Sequence, residues 1–379
     1  MTIHWCGTGL SAIPGLRRLI EAGHEVTVWN RTIEKAQDAV GDLTQRIQAF
    51  DIDTLAAETQ PGDVIVSMLP GDWHVPLAEM AISKAAHFVS SSYIAPEMRA
   101  LHAKAEAAGV CLVNEVGLDP GIDHLMAHWL VADYRASDAY DAGNLLSFIS
   151  YCGGIPKHPN PFRYKFSWAP LGVLKALRSP SKSLRDFKEF NVARPWDAIS
   201  SYMAPLEVAE SFEVYPNRDS LPFMEDYKFD PAWKVRTFVR GTLRLNGWKE
   251  AWTPVFEEIE TLEGPAGEAR LKEMADQFWA ENAYAEGEPD RVVMCVSLQA
   301  ERDGKTVYHK TYAMDAWGDK NGTAMARLVS IPVSLGVETV LNGQMPTGVS
   351  AAPSDPALFN AWLGQVDELA QHLAVVDHV

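Results

Sequence analysis

The chain has 379 residues, of which 47% are hydrophobic and 22% charged, the balance of an ordinary globular protein long enough for two domains. Its formal net charge of −17 argues against a nucleic-acid or anionic membrane partner, because phosphates call for a basic patch. An anionic small substrate stays open, since cations can be gathered locally in a pocket.

The first 115 or so residues alternate short apolar strands with helical patterns. Thr2–Cys6 reads as a strand, followed by a glycine-rich turn and a helix to about Ala22. Strands follow at Glu25–Trp29, Arg46–Phe50, Val64–Leu69, His87–Ser91 and Val110–Asn114. Helical segments lie between them, from about Ile33, over His74–Ala86 and over Pro96–Ala108. Such alternation predicts a doubly wound parallel sheet. After Gly121 comes a helix over about Asp123–Ala136, and then longer, more polar strands: Leu145–Tyr151, Val235–Leu245, Arg291–Ala300 and Lys305–Ala313. The last two flank Asp303-Gly304, a two-residue hairpin signal. The expected fold is therefore α/β: an N-terminal doubly wound parallel sheet of the Rossmann type over 1–118, then a second α/β domain with a mixed sheet over 119–353. A helical insertion is expected at about 250–290, and a C-terminal helix at about 354–379 that packs back on the first domain.

No apolar run approaches 18 residues, so no membrane-spanning helix is expected. MTIHWCGTG lacks a basic segment and a long apolar stretch, so no export signal is expected. Cys6, Cys111, Cys152 and Cys295 show no CxxC spacing and read as free thiols in a reducing cytoplasm.

Gly7-Thr8-Gly9-Leu10-Ser11-Ala12 fits G-x-G-x-x-A between a strand and a helix. The first glycine allows a tight turn, the second lets backbone approach a pyrophosphate, and the small last residue lets helix pack on strand. The helix start offers N–H groups and positive dipole to the phosphates. The second strand ends in Asn30-Arg31-Thr32 rather than in the Asp or Glu that holds the ribose hydroxyls of NAD. Arg31 can grip a 2′-phosphate through its planar fork, so NADP(H) is favoured. Further candidate cofactor contacts stand at or near the carboxyl ends of the following strands: Asp51 and Ile52, Met68 and Leu69, Ser90 and Ser91.

Ligands of doubly wound sheets bind at those carboxyl ends. Ser90-Ser91-Ser92-Tyr93 follows the fifth strand and GLDPGIDH (Gly117–His124) the sixth, so both belong to the nicotinamide end. Asp123 can equally be the first-turn acid of the helix that follows. His124 and His128 have an i, i+4 metal-ligand spacing, but no third ligand is evident and no metal is expected.

The chain resembles the saccharopine reductase family, the NADP-dependent, glutamate-forming saccharopine dehydrogenases. The matching stretches are VTVWNRT (Val26–Thr32), SSYIAPEMRAL (Ser91–Leu101), NEVGLDPGIDHLMA (Asn114–Ala127), SFISYCGGIP (Ser147–Pro156), RYKFSWAPLGVLKALR (Arg163–Arg178), YPNRDS (Tyr215–Ser220) and VRGTLRLNGW (Val239–Trp248). The resemblance implies NADP(H) and saccharopine as ligands, action in lysine metabolism, and a second domain that also forms a homodimer. Gly7, Gly9, Leu10, Ser11 and Ala12 would line the pyrophosphate. Asn30, Arg31 and Thr32 would meet the 2′-phosphate. Ser92 and Tyr93 would touch substrate, with Asp119 close to both ligands, and Arg218, Thr242, Leu243 and Arg244 would hold substrate carboxylates. Fewer than 50 residues separate the RGTLR strand from MCVS (Met294–Ser297), where many relatives carry a larger helical insertion.

The reaction implied needs a proton shuttle near neutral pH. The candidates are Asp119, Tyr93, Cys152 and His124. Asp119 is favoured as a charge that stabilises an iminium cation, leaving the shuttle open among the other three. Two other readings are an imine or amine reductase of the same fold acting on a polyamine or opine-like substrate, and a non-catalytic NADPH-binding sensor.

Overall fold

The computed structural model describes residues 1–379, which divide into two compact units: 1–125 with 326–366, and 126–325 with 367–379. In chain order the strands are β1 (Ile3–Cys6), β2 (Val26–Asn30), β3 (Ile47–Ala49), β4 (Val64–Ser67), β5 (His87–Ser90) and β6 (Cys111–Val113). They continue with β7 (Leu145–Pro156), β8 (Ser181–Arg185), β9 (Lys188–Val192), β10 (Ser200–Ala204), β11 (Glu210–Pro216) and β12 (Lys234–Leu245). The last four are β13 (Asp290–Arg302), β14 (Lys305–Trp317), β15 (Gly348–Ser350) and β16 (His372–Asp377).

The first unit holds a seven-stranded sheet in the order β15-β6-β5-β4-β1-β2-β3, every pair parallel. β1 and β4 are buried throughout, as strands covered on both faces must be. The order reverses at β1, which places the switch-point crevice beside the glycine turn. Helix Ile13–Glu21 lies against helix Ala324–Leu341, and Gly15 makes that contact possible. A Cβ on Gly15 would stand 1.9 Å from the Ser330 carbonyl oxygen. Its N–H donates to Ser330 Oγ at 2.8 Å. Arg18 adds bonds to Ser334 and Glu338 on the same helix. Ala324–Leu341 corrects one expectation: it is long and apolar enough to cross a membrane by length and composition, and 78% of it is buried inside the protein. Its apolar character is that of a core helix.

The second unit is built on a nine-stranded mixed sheet with the path β10-β11-β12-β7-β13-β14-β16, extended by the β8–β9 hairpin on β12. Only β12–β7 is parallel along that path. The β13–β14 turn is made by Asp303 and Gly304, both at positive φ, which matches the strand twist. The β8–β9 turn does the same with Asp186 and Phe187, so no glycine announces it in the sequence. Helices Trp248–Glu260 and Gly264–Asn282 occupy the insertion, burying Trp248, Trp252, Val255, Phe256 and Leu271 in one cluster.

Three elements differ from the sequence reading. The segment Pro96–Ala108 is two short helices, Pro96–Arg99 and His102–Ala108. The C-terminal stretch is a helix over Pro356–Asp367 followed by β16, which pairs antiparallel with β14. Residues 326–353, expected in the second domain, fold with the first unit, where β15 extends the parallel sheet beside β6.

Candidate active site

The glycine turn is shaped to receive a phosphate. Gly7 sits at φ +104°, and a Cβ there would come 2.9 Å from the Met68 carbonyl oxygen, so only glycine fits. Its N–H donates to the Trp29 carbonyl at 2.8 Å, tying the turn to β2. A Cβ on Gly9 would meet nothing within 4 Å, which leaves a cradle over the turn. The helix that follows starts at Ala12 with no side-chain cap, so its first N–H groups are available to a ligand. The Thr8 hydroxyl is buried with no partner. An orphaned donor, an empty cradle and an uncapped helix start together fit a pyrophosphate. Gly9→Ala should leave the melting temperature unchanged and weaken NADPH binding about tenfold, because the methyl enters only the cradle. Gly7→Ala should cost about 2–3 kcal/mol of stability, from its left-handed backbone and the Met68 clash. Thermal melts and NADPH fluorescence titration check the pair.

At the end of β2, Asn30 shapes the loop: Thr8 N–H donates to its Oδ1 at 3.2 Å and its Nδ2 donates to the Thr32 carbonyl at 2.7 Å. Arg31 is exposed and takes no partner within the protein. Asp51 is the N-cap of helix Ile52–Glu58, accepting from Thr54 N and Oγ1, and those bonds hold its carboxyl below the usual range. The Ile52 and Leu69 side chains pack on the apolar core of the first sheet, which leaves their backbones as the groups a cofactor could touch.

A hydrogen-bonded layer lies over the carboxyl ends of β4, β5 and β6. Ser92 N–H donates to Ser90 Oγ at 3.1 Å, and Tyr93 OH donates to Asp119 Oδ1 at 3.0 Å. Ile94 N–H donates to Glu115 Oε1 at 2.8 Å, while Glu115 Oε2 meets His124 Nε2 at 2.9 Å. His124 Nδ1 lies 3.4 Å from Asp123 Oδ2, and Gly121 N–H donates to Asp123 Oδ1 at 2.7 Å. All three of Glu115, Asp123 and His124 are buried. The turn itself is closed by Gly117 N–H to the Pro120 carbonyl, and a Cβ on Gly121 would fall 2.1 Å from the Gly117 oxygen. GLDPGIDH thus splits into two jobs: Asp119 faces Tyr93, while Asp123 and His124 lock the turn to Glu115. Both ring nitrogens of His124 meet carboxylates, which suits a fixing role better than a proton shuttle. His128 packs edge-on against Tyr227, and no group of three or more His, Cys, Asp or Glu is placed to hold a metal.

His74 was not singled out by its sequence context. Its Nδ1 lies 2.9 Å from Ser67 Oγ and its Nε2 2.8 Å from Ser92 Oγ, with the ring edge-on to Phe88. Burial pushes its pKa down to about 4. The unfolded value is higher, near 6.5, so between the two values the unfolded chain binds the proton more readily. Stability is therefore full above about pH 6.5 and falls as pH drops toward 4, by about 2 kcal/mol at pH 5 from this residue. Urea midpoints at pH 7 and 5 measure it, and His74→Asn should flatten the dependence.

In the second unit, register aligns Tyr215, Thr242, Cys152 and Met294 across β11, β12, β7 and β13. Thr242 and Arg244 therefore share one face of β12. Leu243 points to the opposite face, fully buried among Val239, Leu245 and Val293. The Leu243 side chain is core, and its carbonyl is the part that turns to Arg244. Arg244 is 6% exposed, its guanidinium carbon 4.9 Å from the Tyr164 ring centre, 5.5 Å from Trp248 and 5.8 Å from Tyr215. Nη1 donates to the Leu243 carbonyl at 3.1 Å, and Nε is buried without a partner. Trp248 Nε1 is likewise buried and unpartnered. The cross-strand acid, Glu213, is already taken by the N–H groups of Gly247 and Lys249 at the start of helix Trp248–Glu260. Arg244 thus forms no ion pair, and a buried cation without one is costly unless an anion arrives. Asn217 Nδ2 donates to Thr242 Oγ1 at 2.9 Å, leaving the Thr242 proton for another acceptor. Cys152 is buried on β7, and Arg218 is exposed on the loop after β11 at φ +51°.

Sequence reading missed Glu115, His74 and Asn217. Each acts through a partner brought close only by folding, and none sits in a spacing that marks it.

Family models match nearly the whole chain: the saccharopine dehydrogenase NADP binding domain over residues 5–113, and the saccharopine dehydrogenase C-terminal domain over 117–370. The saccharopine dehydrogenase (NADP+, L-glutamate-forming) of Pyricularia oryzae is 28% identical over 439 residues, spanning 96% of this chain and 95% of its own length. The enzyme of that name from Schizosaccharomyces pombe is 27% identical over 436 residues, 93% of each chain. Among solved structures, apo saccharopine dehydrogenase (L-Glu forming) from Saccharomyces cerevisiae superposes with a TM-score of 0.80 at 25% identity over 100% of both chains. Homospermidine synthase from Legionella pneumophila, at TM-score 0.63 and 10% identity over 99% of this chain and 91% of that one, shares the fold. Two family models covering the glycine turn, the GLDPGIDH turn and the Arg244 strand leave one conclusion: the chain belongs to the saccharopine dehydrogenase family.

Proposed function

We propose that this protein is an NADP(H)-dependent oxidoreductase of lysine metabolism acting on the carbon–nitrogen bond of saccharopine. It interconverts saccharopine with glutamate and 2-aminoadipate 6-semialdehyde. The observation that carries the substrate class is Arg244, a buried guanidinium in an aromatic cage that forms no ion pair with a carboxylate of the protein. A substrate carboxylate supplies the missing partner through a charge-assisted bond. The same cation disfavours a polyamine, which would set like charges together in a buried place.

The residues then divide the work. Thr8, Gly9 and the start of helix Ile13–Glu21 hold the pyrophosphate, and Arg31 the 2′-phosphate. Bound there, the nicotinamide supplies or accepts the hydride. Arg244 and Thr242 anchor a carboxylate, with Arg218 on the loop after β11 as a further contact. Oxidation of the C–N bond places positive charge on an iminium, and Asp119 stabilises it as a nearby carboxylate. The Tyr93 hydroxyl, which donates to Asp119, passes the proton released when water adds to the departing amine nitrogen, which takes it up as the C–N bond breaks. Cys152 and His124 are the other shuttle candidates. A homodimer in a reducing cytoplasm completes the proposal; the four buried free cysteines support the compartment, and sedimentation velocity tests the assembly.

The deciding experiment follows NADPH formation from saccharopine with NADP, beside polyamine and opine-like amine panels. Saccharopine should be preferred by at least about tenfold in kcat/KM. Preference for a polyamine, or NADPH binding with no turnover of any amine, would refute the reading.

A further inference from the structure

Beyond the residues assigned above, one chain of three side chains runs from the buried Ser67 to the serine read as a substrate contact. Ser67 closes β4, Ser92 follows β5, and His74 at the start of helix His74–Ser83 stands between them. Both ring nitrogens are used, at 2.9 Å to Ser67 Oγ and 2.8 Å to Ser92 Oγ. Ser67 is 1% exposed and His74 7%, so water does not compete for the inner contact, while Ser92 is half-buried at the outer end. The face of Phe88 beside the ring is apolar, and no carboxylate or cation bonds to His74.

We propose that His74 is a positioning residue for the reaction: strung between Ser67 and Ser92, it sets which way the Ser92 hydroxyl points its proton and its lone pairs toward substrate. The inference rests on the reading of Ser92 as a substrate contact.

The physical content is directional. An imidazole that carries one proton has one donor nitrogen and one acceptor nitrogen. If Ser67 donates to Nδ1, then Nε2–H donates to Ser92 Oγ, and the Ser92 proton is free to point outward. If Nδ1–H donates to Ser67, then Ser92 donates inward to Nε2 and presents only lone pairs outward. Burial keeps the ring in this singly protonated form near neutral pH. Both arrangements have the same net charge and the same heavy-atom positions. Ser92 can thus meet a bridging nitrogen that accepts a hydrogen bond, as a neutral amine or imine does, and one that donates, as an iminium does. Nothing is transferred along the chain; only the hydrogen-bond direction changes.

Two amide substitutions separate this role from packing. Glutamine places its amide nitrogen or oxygen where Nε2 stands and keeps the Ser92 contact. Asparagine reaches only as far as Nδ1 and keeps the Ser67 contact. His74→Asn should lower kcat for the wild type's substrate about tenfold with KM for NADP unchanged, and His74→Gln should recover to within about threefold of wild type. Ser67→Ala should lower kcat in the same sense and less. Melting temperatures are read alongside. Equal kcat for the two amide variants, whether both fall or neither does, overturns the proposal, as does a loss that merely tracks melting temperature. The variants are assayed with whichever secondary amine the wild type oxidises, so turnover of a different amine refutes the saccharopine assignment and leaves this test in force. A wild type that oxidises no secondary amine removes both.

Discussion

Replacing Arg244 by methionine should lower kcat/KM for saccharopine about a thousandfold, some 4 kcal/mol, while leaving the melting temperature as high as wild type or higher. The two halves of that result come from one fact. Arg244 is a buried guanidinium without an ion pair, because the facing Glu213 caps a helix instead. In the folded protein without substrate its charge is a cost, partly relieved by the Tyr164, Trp248 and Tyr215 rings around it. Methionine fills most of the same space against those rings and removes the charge. Stability then holds or rises, while the substrate carboxylate loses its buried partner and with it most of the binding energy. NADPH affinity should not change, since the groups assigned to it lie in the other unit. A melting temperature several degrees lower, with activity lost in proportion, would assign Arg244 to packing. Steady-state kinetics, differential scanning calorimetry and NADPH titration on one preparation decide between them.

Arg31→Ala should raise KM for NADP about a hundredfold and leave KM for NAD within about twofold. Arg31 is exposed and bonds to nothing in the protein, so its removal costs the fold little. A 2′-phosphate placed at the end of β2 would take two charge-assisted hydrogen bonds from its fork, and NAD offers no such group. Neighbouring Asn30 is committed to Thr8 and Thr32, so it keeps the loop in place without contributing charge. The NADP preference should also weaken as salt rises, because the pair is solvent-exposed. Equal losses for NADP and NAD would place Arg31 in the loop's structure rather than in phosphate recognition.

Local patterns announced those parts of the molecule whose chemistry is local. Strand β1, the glycine turn and helix Ile13–Glu21 form one continuous signal, since a tight turn, a small packing residue and a helix start must be consecutive. The Asp303-Gly304 hairpin was legible for the same reason. The Asp186-Phe187 hairpin was not, because its positive φ values are imposed by strand pairing on residues that do not favour them. The strand β16 was read as part of a helix because His372–Asp377 becomes a strand only when β14 offers its edge. Residues 326–353 looked like part of the second domain by position in the chain. Gly15, reduced to a hydrogen so that Ser330 can touch it, shows why they fold with the first.

For the site, local pattern pointed to the phosphate turn and Arg31, and the family resemblance to Tyr93, Asp119 and an arginine on the RGTLR strand. Their surroundings came from the fold. It put Leu243 on the far face from Arg244, because a strand alternates its side chains and both faces are buried. It left Arg244 without an ion pair by spending Glu213 on a helix start, and it joined Asp123, His124 and Glu115 in one buried network. Residue type and spacing say which groups can react or bind; which of them remain uncommitted depends on neighbours distant in sequence, and burial makes every such commitment costly to undo.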